Sequence, residues 1–278
     1  MKTCVIDCGG GLRGIFGAGV FDYCLDNNIF FDMCIGISAG SANIASFNSG
    51  QRGRNYKFYH EYAFRKEYMS FENYIKKKYY LDLNYVYDNL SNSDGEDPFD
   101  YEKFCESKSE KYIVATDANS GKAEYFFANS MKKNNYWYLK ASSCIPGICS
   151  PVISDNNRYF DGGIGDPIPV KFALEKGCDR IVVIWTKPVD DIGNFKLDEI
   201  VGMALKKKYP AISVGLLNRK KKVEDSLKFA IKLANQKKVL IVNPKSIGKM
   251  STLTKDKDAL DKLYESGYKE AEKIKDFL

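Results

Sequence analysis

A serine stands between glycines at Gly36-Ile37-Ser38-Ala39-Gly40, where a strand-like run, 31–37, gives way to a helix-like run, 39–48. In that G-x-S-x-G setting the serine occupies a tight, strained bend. The bend lifts its oxygen above the sheet and puts a helix N-terminus behind it. This is how an acyl-transfer nucleophile is presented. The plainer alternative is a turn in which Ser38 only caps a helix.

A second glycine cluster, Gly9-Gly10-Gly11-Leu12-Arg13-Gly14, follows the first strand-like segment and opens the first helix. Consecutive glycines let several backbone N–H groups converge on one anionic point. In acyl transfer that point is the oxyanion of the tetrahedral intermediate, and one such donor typically lowers the barrier by about 2.7–4 kcal/mol. Arg13 adds positive charge there or helps to hold the loop. The string also fits the dinucleotide fingerprint G-x-G-x-x-G, which wants an acidic residue at the end of the next strand. Here that strand ends in Gly36-Ile37-Ser38, with Asp26 and Asp32 before or at its start, which argues against a nucleotide site.

The base is the next question. A serine triad needs a histidine to carry the proton. The chain has one, His60, in a predicted amphipathic helix soon after Ser38. Hydrolases of this kind place their histidine late, after the acid, so His60 reads as a packed or surface residue. Asp161-Gly162-Gly163 offers a carboxylate on a glycine turn that can approach another loop closely, although Asp-Gly alone is a common turn signal.

Together, the glycine loop, the Ser38 elbow and Asp161-Gly162-Gly163 resemble the patatin-like phospholipase family in order and spacing. Ala141-Ser142-Ser143-Cys144-Ile145-Pro146 is similar to the family's stretch before its aspartate, with Cys144 where alanine is common. The resemblance covers residues 1–190. It implies an α/β fold, three-layer α/β/α around a mainly parallel sheet, with Ser38 as nucleophile and Asp161 as base. It also implies an oxyanion region at Gly10, Gly11, Leu12 and Arg13, lipid acyl esters as substrates, and no metal or organic cofactor. A lipid-binding protein without catalysis, and a thioesterase or other serine hydrolase, are the alternatives.

The elements that must position these residues can be read from periodicity. Segments 2–8 and 31–37 read as strands and 14–27 and 39–48 as helices, a βαβα order that predicts a parallel sheet with helices on its faces. Strands are also predicted at 111–117, 123–128, 151–154, 158–160, 180–186 and 238–243, and helices at 54–66, 99–106, 134–143 and 168–177. The aromatic stretch of 54–87 either packs as ordinary helix or covers the site. No linker is visible, so 1–278 reads as a single domain, with a catalytic core over 1–190 and a helical part over 191–278.

Composition narrows the setting. The 278 residues are 44% hydrophobic and 28% charged, with a formal charge of +6. No apolar stretch approaches a bilayer span, and the first strand is too short for a signal peptide. Eight cysteines without a CxxC pair read as reduced, which places the protein in the cytoplasm. One histidine leaves little for a metal site. The run 206–222 carries seven basic residues and no acid. It reads as a solvated face or as a contact for an anionic membrane surface. No recognition motif accompanies it, so nucleic acid is not expected.

Overall fold

The computed structural model describes all residues, 1–278. Its strands are β1 Thr3–Asp7, β2 Met33–Ile37, β3 Glu110–Asp117, β4 Ala123–Phe127, β5 Val152–Ser154, β6 Asn157–Asp161, β7 Arg180–Ile184 and β8 Val239–Val242. They form one sheet in the order β5-β6-β3-β2-β1-β7-β8, with β4 alongside β3. β1, β2, β3, β7 and β8 run parallel, while β4, β5 and β6 join by antiparallel pairing.

The helices of the first half are α1 Ile15–Asp26, α2 Ala39–Asn48, α3 Arg54–His60, α4 Phe71–Lys77, α5 Tyr101–Glu106 and α6 Trp137–Ser142. Those of the second half are α7 Val170–Glu175, α8 Lys196–Leu205, α9 Pro210–Leu217, α10 Arg219–Ala234, α11 Lys257–Glu270 and α12 Glu272–Phe277.

The central strands are buried on both faces, and their alternation sends neighbouring residues into different cores. Val5, Cys34 and Val182 join Phe16 and Phe21 of α1 and Ile44 of α2 on one side. Ile6, Ile35 and Val183 join Val170 of α7 and Leu227 of α10 on the other. Two cores on one sheet make three layers, the α/β/α arrangement expected. Helix α11 lies on α1, where the Tyr264 and Tyr268 hydroxyls donate to Asp22 at 2.8 Å and Asp26 at 2.9 Å.

One feature of the register positions the site. β2 pairs with β3 as far as Ile37 opposite Val114. β4 takes the other edge of β3 over Tyr112–Thr116. β6 pairs with Ala115, Thr116 and Asp117, starting with Ala115 opposite Asp161. Since β4 holds the far edge at Ala115 and Thr116, β6 must lie on the edge that β2 has just vacated. The ends of β2 and β6 therefore meet head to head along β3, one position apart.

The structure departs from the sequence reading mainly in 50–100. The helix expected over 54–66 breaks after His60 into a 3₁₀ turn, Tyr62–Phe64. α4 and a π-helical turn, Tyr85–Leu90, were not foreseen. α4 has a local cause: the Ser70 hydroxyl caps it by accepting the Asn73 amide at 3.2 Å. The expected helix 168–177 shortens to α7, which starts only after Pro169.

Candidate active site

Ser38 sits on the bend between β2 and α2 at φ 55°, ψ −130°. A non-glycine residue there is strained, and its neighbours must hold it. The Ser142 hydroxyl accepts the Ser38 amide at 2.8 Å, and the Ser143 hydroxyl donates to the Ser38 carbonyl at 3.2 Å. The Ser41 hydroxyl donates to that same carbonyl at 2.7 Å. Gly40 fits because a Cβ there would overlap the Asp7 carbonyl. Gly36, Ile37 and Ala39 complete the bend where the sequence placed them.

Asp161 ends β6 and is 4% exposed. Its backbone is fixed by the Cys144 carbonyl, which accepts the Asp161 amide at 2.8 Å, and by the Thr116 hydroxyl, which donates to the Asp161 carbonyl at 2.7 Å. The carboxylate accepts the Gly163 amide at 2.8 Å, and Gly162 lies close against Val114. Burial pushes the acid above the ordinary carboxylate range. The Arg219 charge, the Ser38 hydroxyl and the Gly163 amide pull it part of the way back. The meeting of the β2 and β6 ends along β3 thus brings Ser38 and Asp161 to neighbouring positions.

The glycine loop lies across from both. Gly9, Gly10 and Gly11 take φ values of 65°, 131° and 60°, which only glycine adopts without strain. The loop is anchored through Gly9, whose amide donates to Asp7 at 2.9 Å and whose carbonyl accepts the Thr186 hydroxyl at 2.7 Å. The Leu12 amide is taken by the Thr252 carbonyl at 2.8 Å. These bonds trim the expected oxyanion set, since Gly9 and Leu12 have no N–H to spare. The amides of Gly10 and Gly11 have no acceptor. Gly14 serves a different end, letting Tyr59 and Ala39 come close.

A pocket opens at Ser38. Its lining is mostly apolar and includes Leu12, Tyr59, Met69, Leu83 and Tyr87. Residues of the aromatic stretch 54–87 thus line this pocket, and Tyr59, Met69, Leu83 and Tyr87 belong to the main core as well.

His60 is elsewhere. It stacks on Tyr56 and lies 3.5 Å from Asp261 at the contact of α3 with α11, and it does not line the pocket.

The sequence reading missed several residues around the site. Asp7 is fully buried, accepts Asn43 Nδ2 at 2.8 Å, and is pushed up to about 6 by burial. The basic run also needs correction. Lys206, Lys207 and Lys208 are exposed, but Arg219 and Lys222 turn inward. Arg219 pairs with Asp198 at 2.9 Å beside Asp161, and Lys222 donates to the Ile164 carbonyl at 2.8 Å. The helical phase of α10 could have separated these two from their exposed neighbours, but nothing in the sequence shows what they would face.

Comparison with known proteins places the chain. The family model for patatin-like phospholipase matches residues 8–174, more than half of it, and a domain of unknown function (DUF6363) matches 209–277. The uncharacterized protein YjjU of Escherichia coli K12 is 31% identical over 182 residues, 65% of this chain and 50% of YjjU. The lysophospholipase NTE1 of Eremothecium gossypii is 24% identical over 184 residues, 66% of this chain but only 12% of NTE1. The match thus spans half of one relative and a small part of the other. The crystal structure of VipD from Legionella pneumophila aligns with 99% of this chain and 66% of VipD, at a TM-score of 0.50 and 13% identity, a likeness of fold.

Proposed function

This chain belongs to the patatin-like phospholipase family, and from that premise we propose that it is a serine acyl hydrolase cleaving lipid carboxylic esters through a Ser38–Asp161 dyad. The observation that supports this reading is the meeting of β2 and β6 on one edge of β3, which makes Ser38 and Asp161 neighbours, with the unpaired amides of Gly10 and Gly11 on the adjoining loop.

In the proposed reaction Ser38 Oγ attacks the ester carbonyl while Asp161 takes its proton. The oxyanion is received by the amides of Gly10 and Gly11, with the α2 N-terminus behind Ser38. Asp161 returns the proton to the departing alcohol, leaving an acyl-enzyme. It then deprotonates a water that frees the acid and restores Ser38. Burial supports the role of Asp161, because an ordinary aspartate is a weak base and desolvation strengthens it. The apolar pocket at Ser38 suits an acyl chain. Phospholipid, lysophospholipid and acylglycerol are the substrates we propose, and the name of NTE1 supports the second.

We place the protein in the cytoplasm, working on membranes from their surface. No helix is long and apolar enough to cross a bilayer. Support for surface contact comes from α8, where Leu197, Ile200 and Met203 are 60–63% exposed. The exposed Lys206, Lys207 and Lys208 follow directly, suited to an anionic leaflet.

The test is a panel of phospholipid, lysophospholipid, acylglycerol, thioester and p-nitrophenyl ester substrates, with Ser38→Ala as control and a fluorophosphonate probe. Labelling of Ser38 and ester cleavage lost in the control are expected. An unlabelled Ser38 with no turnover on any ester would refute the reading.

A further inference from the structure

One late stretch of chain holds both halves of the site. It is the segment 209–277, which the model for a domain of unknown function matches. Its helix α10 enters the core on one face of the sheet through Val223, Leu227 and Ala230. β8 then pairs with β7 as the last strand of the sheet, and α11 enters the core on the other face through Leu260 and Leu263. The segment therefore wraps round the β8 edge and reaches both faces.

Between β8 and α11 it crosses the glycine loop. The Thr252 carbonyl accepts the Leu12 amide at 2.8 Å and lies where a Cβ on Gly11 would overlap it. Thr252 and Leu253 line the pocket together with Gly11, Leu12 and Ser38. A small turn aims that carbonyl. The Thr254 hydroxyl accepts the Ser251 amide at 2.8 Å, the two hydroxyls lie 2.9 Å apart, and the Ser251 hydroxyl accepts the Leu253 amide at 3.3 Å. Hydroxyls bonded to nearby backbone fix a turn that no helix or strand supports. Gly9 is already tied to Asp7 and Thr186, so Thr252 completes the hold, and the free amides of Gly10 and Gly11 are fixed from both ends.

The same segment holds the turn after Asp161. Lys222 Nζ donates to the Ile164 carbonyl at 2.8 Å. Ile164 closes the 3₁₀ turn Gly162–Ile164, whose Gly163 amide bonds the Asp161 carboxylate at 2.8 Å. Gly215 of α9 lies against the Ile164 side chain, at a place with no room for a Cβ. An ammonium that turns inward to a backbone carbonyl gives up hydration to do so.

We infer that residues 209–277 form a clasp that positions the reacting groups: the Ser251–Thr254 turn sets the oxyanion amides through Thr252, and Lys222 sets Asp161 through its turn. The segment thereby acquires a part in the reaction itself, and for that part the inference rests on the hydrolase reading. The contacts stand without it. Ser251, Thr254 and Lys222 do not line the pocket, so they are positioning residues that act through Thr252 and Ile164. Positioning has leverage, because a misplacement of about 1 Å can cost about a hundredfold in rate.

The experiment measures kcat and KM on a soluble p-nitrophenyl ester, counted per Ser38 labelled by fluorophosphonate at completion. Ser251→Ala with Thr254→Val, and separately Lys222→Met, should each lower kcat by about tenfold or more while KM stays within about twofold. Thr254→Ser, which keeps the hydroxyl, should stay within about twofold of the unmodified protein in kcat. Should the double variant not fold, Thr254→Val alone is read in the same way. Tyr268→Phe loosens the same segment on α1, a helix that does not line the pocket, and should leave kcat within about twofold. Unchanged kcat in the double variant or in Lys222→Met, or an equal loss in Tyr268→Phe, would overturn the clasp.

A second arm needs no turnover. Amide hydrogen exchange should quicken in peptides covering 8–14 when Ser251 and Thr254 are replaced, and in peptides covering 161–166 in Lys222→Met, while β2 keeps its protection in both. Unchanged exchange at either place overturns the clasp. If no ester is cleaved at all, the hydrolase reading falls, and this arm still decides whether the segment holds the loop and the turn.

Discussion

Asn43 Nδ2 donates to the buried carboxylate of Asp7 at 2.8 Å, tying the strand before the glycine loop to the helix behind Ser38. The other Asp7 oxygen accepts the Gly9 amide. One carboxylate thus braces both halves of the site while paying the desolvation cost of full burial. Its pKa is raised from 3.8 to about 6, so the folded protein holds this proton more tightly than the unfolded chain. The stability Asp7 gives by being protonated is complete below pH 3.8 and is lost as the pH rises through about 6. The unfolding free energy of the unmodified protein relative to Asp7→Asn should therefore fall over that window by roughly 2–3 kcal/mol. Denaturant melts at several pH values measure it, and a flat difference would remove the assignment.

In the proposed dyad Asp161 must be ionised to act as base, and its burial raises its pKa. The acid limb of kcat/KM should therefore fall above the range of an ordinary aspartate. Arg219 opposes that rise. Arg219→Met should accordingly move the limb to higher pH on an uncharged p-nitrophenyl ester, with a smaller change on the plateau. Asp161→Asn should fold and lose at least about a thousandfold in kcat. A limb unmoved by Arg219→Met would separate the two residues functionally.

His60→Ala should keep turnover within about twofold, because the imidazole neighbours Tyr56 and Asp261 away from the pocket. A folded but inactive His60→Ala would return a histidine to the mechanism.

Binding to sedimenting vesicles should depend on the exposed face of α8. Ile200→Asp with Met203→Asp should reduce binding to vesicles containing phosphatidylglycerol by about tenfold or more, while hydrolysis of a soluble p-nitrophenyl ester is retained. Unchanged sedimentation would move the membrane contact to another surface.

Much of this site is legible in the sequence, because its motifs are local. A strand, a G-x-S-x-G bend and a helix lie within residues 33–48, and the structure starts α2 at Ala39 as periodicity predicts. The glycine loop is readable for the same reason. What was hidden depends on distant pairing. That Leu12 spends its amide on Thr252 follows from a contact across almost the whole chain. The inward turn of Arg219 and Lys222 depends on how α10 lies on the sheet, since a lysine-rich helix looks alike on either face until something covers it. The aromatic stretch of 54–87 was ambiguous because wall and core use the same side chains.

The shared edge of β3 has a consequence for how the molecule comes into being. Strands β1, β2 and β3 can set the serine on its bend before β6 has left the ribosome, but no carboxylate then stands beside it. With the proposed dyad, a growing chain would carry its nucleophile unarmed until the later strand slots in, and Arg219 arrives later still. On that reading, esterase activity would switch on only once β6 and Arg219 are in place.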